Sequence, residues 1–147
     1  MNKFITLLPL IFSSYGLLAA SSVDITTSDE AEKCFQKYGE NNAECLEEVT
    51  DKSEHQLEKV YQDKLKAIDA FDYTQWWMAD ESRKTGMIDA LKKSQMEWLK
   101  YRAAYCGAAT TAAQGTHFLG ATLTSCTINM NKRRIAEIKM IKPEITQ

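Results

Sequence analysis

Residues 43 to 70 contain neither Gly nor Pro, and apolar side chains recur through them at helical spacing: Val49, Leu57, Val60, Tyr61, Leu65, Ile68 and then Phe71. The positions between are charged, among them Glu47, Glu48, Asp51, Lys52, Glu54, Glu58, Lys59, Asp63, Lys64 and Lys66. This pattern predicts one long amphipathic helix whose charged side is solvated. A helix of this kind must lay its stripe against other helices, and no stretch of useful length alternates as a strand would. The chain is therefore expected to be all-α, a small disulfide-stapled bundle of about three to four helices.

Taken in order, residues 21–30 (SSVDITTSDE) are polar and aperiodic and read as a flexible leader ending in a helix cap at Thr27 or Ser28. A short helix from Asp29 to Tyr38 follows, with Asp29, Glu30 and Glu32 in its first turn and Gly39 as its stop. After the long helix, aromatics crowd together at Phe71, Tyr73, Trp76 and Trp77. Adjacent tryptophans point about 100° apart on a helix. Either they cap the end of the bundle, or the Tyr73, Trp76 and Trp77 group offers an exposed contact for a partner. The next helix, capped by Asp80 or Thr85, carries Met87, Ile88, Leu91, Gln95, Trp98, Leu99, Arg102, Tyr105 and Cys106 on one stripe, with Gly107 ending it. A connector rich in Ala, Thr and Gly spans residues 108–121. A last helix runs from about Ala121 to Met140 or Ile141, with Pro143 as its stop. Its inner face is Leu123, Cys126, Thr127, Met130, Arg134 and Ile138, or a rotated set that includes Ile128 and Ile135.

Residues 1–20 (MNKFITLLPLIFSSYGLLAA) stand apart. One Lys, an apolar run from Phe4 to Phe12 and the small residues Ala19 to Ser22 have the layout of a secretory signal peptide. The cut is expected within residues 20–22, and no Cys lies there to carry a lipid. The apolar run is too short to span a membrane comfortably, and no other segment approaches that length. All four cysteines, Cys34, Cys45, Cys106 and Cys126, lie beyond the cut, and an even count in an exported chain argues for disulfides. Of the three possible pairings, Cys34–Cys45 with Cys106–Cys126 is favoured, because each pair flanks a short polar loop between helices. A crossed pairing that ties the N-terminal segment to the central helix stays open.

Composition narrows the function. Without Lys3, removed with the leader, 17 basic residues face 20 acidic ones. This mildly acidic surface lacks the strongly basic patch that nucleic acid requires. There is no Gly-x-Ser-x-Gly elbow and no Gly-rich phosphate loop. His55 and His117 have no companion ligands at metal-binding spacing, so no metal site is expected. The carboxylates are scattered over solvated faces, and no apolar setting splits the pKa values of a pair. Neither an enzyme nor a cofactor is expected.

The most specific constellation is Gln95-x-x-Trp98-x-x-x-Arg102-x-x-x-Cys106. A guanidinium on a core-facing stripe must be paired. Arg102 can stack on Trp98 or Tyr105, or pair with a carboxylate of the first long helix or with carbonyls at a helix end, and Gln95 can reach across to a neighbouring helix; alternatively the two line a groove for a ligand or partner. These residues combine with the early Cys34 and Cys45, with Leu57-x-x-x-Tyr61-x-x-x-Leu65, with Cys126 after a Gly-containing loop, and with Arg133-Arg134. Together they resemble the lysozyme inhibitor LprI-like family, from about Cys34 to Ile138. The segment from Asp72 to Gly86 is longer and more aromatic than the family pattern. The resemblance implies a periplasmic or secreted, disulfide-bonded helical protein of the bacterial envelope, with residues 31–142 as its helical domain. It also implies action by protein binding, with a lysozyme or another envelope protein as partner. The rival expectation is an envelope structural or stress protein, or an immunity partner of a periplasmic toxin.

Overall fold

The computed structural model describes residues 24–75 and 81–143. Four α-helices account for most of them: α1 (Asp29–Tyr38), α2 (Ala43–Ala70), α3 (Glu81–Ala109) and α4 (Leu119–Met140). Short 3₁₀ turns at Tyr73–Gln75 and Thr111–Ala113 lie in the connections, and no strand occurs among the described residues. The fold is the expected all-α bundle.

Each long helix has a local cause. α2 extends unbroken over its 28 residues, about 42 Å at the helical rise. Leu46, Leu57 and Ile68 are buried from it, with Val49, Val60 and Tyr61 packed beside them. Contacts along the chain set the directions. Thr50 meets Thr124, Ser53 meets Asn131, Leu57 packs with Ile135 and Ile138, and Lys64 Nζ donates to the Ile141 carbonyl. α2 and α4 therefore run parallel. α3 runs against both, since Arg102 meets Glu54, Arg134 meets Gln95 and Cys106 bonds Cys126. The most extensive helix–helix interface is α2 with α4, elements separated by the whole of α3.

α4 is the central helix and touches all three others. Ser125, Cys126, Ile128, Met130, Asn131, Arg134, Ile135 and Ile138 are all buried along it. This is the rotated face that includes Ile128 and Ile135. Leu123 is exposed, contrary to the unrotated set. The arc is wide because three neighbours share it, so a single stripe was the wrong template.

α1 is fixed at both ends. Ser28 caps it, accepting from the Ala31 N–H at 3.3 Å while donating to Ser125 Oγ on α4 at 3.1 Å. At the other end Gly39 takes φ +60° and ψ −130°, a region that L side chains avoid. Its N–H bonds Phe35 O at 2.8 Å, and its carbonyl accepts from Asn42 Nδ2 at 2.7 Å. Gly39→Ala should therefore cost about 1–3 kcal/mol by urea unfolding, through backbone strain alone. Nothing lies within 4 Å of an added Cβ, so an unchanged midpoint would contradict the strain account.

Three expectations need correction. From Asp24 onward the leader is tied down rather than loose, because Asn129 Nδ2 donates to the carbonyls of Ile25 (3.1 Å) and Thr27 (2.7 Å), and Ile25 packs onto the core. Thr85 is not a cap. It lies inside α3 and its hydroxyl donates to the Glu81 carbonyl. Gly107 does not end α3, which continues through Ala109. The helix ends where Thr110, buried beside the disulfide, turns its hydroxyl onto the Cys106 carbonyl at 2.8 Å. A glycine stops a helix when it adopts positive φ, and Gly107 does not.

Candidate functional site

Two disulfides staple the bundle. Cys34–Cys45 joins α1 to α2, and Cys106–Cys126 joins α3 to α4, each with a Cα–Cα distance of 5.6 Å. The local pairing is the one the structure contains, and no free cysteine remains. Cys106, Cys126 and Met130 form a buried cluster against Ile25, Trp98, Tyr105 and Ala109.

Below that staple lies a connected set of polar side chains from three helices. Arg102 of α3 donates through Nη1 to Asn131 Oδ1 of α4 at 2.5 Å and pairs with Glu54 Oε1 of α2 at 2.6 Å. Asn131, fully buried, donates in turn to Ser53 Oγ of α2 at 3.1 Å. One turn further along α4, Arg134 reaches back to α3. Its Nε donates to Gln95 Oε1 at 2.9 Å, and its Nη2 to Ser94 Oγ at 2.8 Å. Its Nη1 meets Glu137 at 2.9 Å. Trp98 lies between the two guanidiniums, whose carbons stand 5.4 Å (Arg102) and 5.7 Å (Arg134) from its ring centroid.

The spacing Gln95, Trp98, Arg102 thus brings a buried residue and two half-buried ones into one clamp, with the guanidinium facing a carboxylate of the first long helix. Sequence reasoning placed Arg134 on an inner face but did not join it to Gln95, and it missed Asn131 altogether. Only the i, i+3 spacing of Asn131 and Arg134 hinted at the pair. Among the described residues, no buried side-chain nitrogen or oxygen lacks a partner. Both guanidiniums are spent on neighbours within the fold. Chemically, the clamp fixes the register of three helices and offers little to a solute, since Gln95, Asn131 and Arg134 are all buried.

The other singled-out residues fall elsewhere. Trp76 and Trp77 lie outside the described residues. Tyr73, read as a possible partner contact, is buried at 7% exposure. Its ring packs edge-on to Phe71 (4.7 Å between centroids), because the chain folds back there between α2 and α3. Burial raises its phenol pKa above the ordinary 10.0. His55 is exposed on α2, and His117 stacks on Phe118 with centroids 3.9 Å apart. Among the described residues no cluster of three His, Cys, Asp or Glu side chains could hold a metal, and no helix is long and apolar enough to cross a membrane.

Comparison with known proteins agrees with the geometry. No curated protein and no solved structure matches the chain. The family model described as lysozyme inhibitor LprI matches residues 34–138, from the first cysteine through the last turns of α4. That span takes in both disulfides and every residue of the clamp, and on this match the chain belongs to the lysozyme inhibitor LprI family.

Proposed function

We propose that the protein is an exported, non-enzymatic lysozyme inhibitor that acts in the periplasm by binding a lysozyme. The family match over residues 34–138 carries this reading. Three further observations support it. Two disulfides suit an oxidising compartment outside the cytoplasm, as does the signal-like layout of residues 1–20. The polar groups drawn together in the interior hold helices to one another, which fits a rigid binding scaffold better than a reacting centre. Without Lys3 the chain carries three more acidic than basic residues, and animal-type lysozymes are basic, so long-range attraction would speed their encounter.

The test is an inhibition titration. Oxidised protein lacking residues 1–20 is added to several types of lysozyme clearing a suspension of cell-wall substrate. Lysis should fall to a plateau as inhibitor approaches equimolar with at least one lysozyme, and the inhibition should weaken as salt rises. Undiminished lysis by every lysozyme tried, at large molar excess, would reject the reading.

A further inference from the structure

Charge is unevenly shared along this chain. Residues 24–51 hold nine carboxylates against two lysines, whereas residues 52–147 hold 15 basic against 11 acidic side chains. The fold gathers the acidic share at one end of the bundle. α1 is stapled to the start of α2 by Cys34–Cys45 and lies against the start of α4. The adjoining connector, residues 110–118, carries no Asp, Glu, Lys or Arg.

That same end bears an apolar groove between α1 and the beginning of α4. Ala31, Phe35, Phe118 and Ala121 form its walls, with Thr122 beside them. Glu32 is the charged side chain among the described residues that line it, and it accepts from Gln36 Nε2 at 3.0 Å. The Phe35 and Phe118 rings stand 5.6 Å apart, and Phe118 is 46% exposed. A large aromatic left half in water beside a groove is the kind of anchor that dominates protein interfaces when covered. Its neighbour Phe35 is mounted rigidly, since the disulfide, the Ser28 cap and the Gly39–Asn42 turn hold α1 in place. Little ordering cost would remain at binding.

We infer that this acidic end, with the Phe35–Phe118 groove at its centre and Glu32 on its rim, is the surface that docks a basic lysozyme. The inference rests on the proposed inhibitory function and names the site for it. Its occupant is set by charge: an apolar contact with Glu32 on its rim, on the part of the chain where carboxylates outnumber lysines nine to two, complements a partner that surrounds apolar side chains with Lys and Arg. Met96 and Leu99 of α3, also exposed, lie apart from this groove, Leu99 lining a separate hollow with Glu54, His55 and Glu58, and serve as the control.

The experiment is direct binding of an immobilised animal-type lysozyme by the oxidised protein, with melting curves run on every variant. Phe118→Ala and Glu32→Lys should each weaken binding by at least about tenfold, the second more strongly at low salt, while both melt close to the wild type. Met96→Ala with Leu99→Ala should bind as the wild type does. Wild-type affinity in Phe118→Ala and Glu32→Lys would overturn the docking surface and leave the inhibitory function standing. Loss of binding confined to a Trp76→Ala, Trp77→Ala variant would do the same and move the contact to the aromatic segment. Failure of the wild type to bind any lysozyme would overturn both.

Discussion

Replacing Cys106 and Cys126 together by Ala should lower the melting temperature of the oxidised protein by on the order of 10–15 °C. The bond closes a loop with a sequence separation of 20 residues. Removing that closure from the unfolded chain costs about 3 kcal/mol in the chain-entropy model. For a domain of this size each kcal/mol moves the midpoint by roughly 3–6 °C. Position should add to the loss. Cys106 and Cys126 are both buried, at 2% and 0% exposure, within the cluster that Trp98, Tyr105 and Ile25 cover. The pair also sets the spacing of α3 and α4 just above the clamp, so its removal should loosen Arg102 and Arg134 as well. Calorimetry of the wild type and the double variant, both free of reductant, checks this. A shift below about 3 °C would show that helix packing alone holds α3 and α4 together and that the bond adds little.

The second large effect concerns the clamp itself. Arg102→Met removes a guanidinium that three groups use: Asn131 Oδ1, Glu54 and the Trp98 face. Glu54 is about one-third exposed and can rehydrate, so its share of the loss is modest. Asn131 cannot rehydrate, because its side chain is wholly buried, and an orphaned buried acceptor costs about 1–3 kcal/mol. With the lost stacking, Arg102→Met should destabilise by about 2–3 kcal/mol in urea. Asn131→Leu should cost a similar amount, since it strips Arg102 of its α4 partner and leaves Ser53 without the amide. The double variant should cost clearly less than the sum, by about 1 kcal/mol or more, because neither Arg102 nor Asn131 is then left without the other. Additive losses, within about 0.5 kcal/mol, would mean that the two residues stabilise the bundle independently and that no clamp exists in the energetic sense.

These two effects separate what is local in this fold from what is not. The run from Ala43 to Ala70 specifies α2 almost to the residue, since period, absence of breakers and charge on the outer face all agree. Ser28 and Gly39 bound α1 by the chemistry of their own backbones. The local disulfide pairing was favoured because each pair flanks a short loop between helices, and the structure closes the crossed alternative. Gln95, Trp98 and Arg102 were legible because helical spacing puts them on one face, and a guanidinium on such a face requires a partner.

Local chemistry in the sequence carries the fold class, the helices and one side of the clamp, and it favours the two local staples. These depend on i to i+4 spacing, on capping, or on short closures. Tertiary structure alone decided the rest. It paired α2 in parallel with α4 across the intervening α3, and it turned α4 so that Asn131 and Arg134 face inward and Leu123 faces out. It tied Asp24 to Ser28 onto α4 through Asn129, and it brought Phe35 of α1 against Phe118 beside Glu32. The physical reason is the same in each case. Which arc of a central helix is buried depends on where three neighbours stand around it. Those positions are set by the summed packing of elements far apart in the chain, on which no periodicity within any one of them reports.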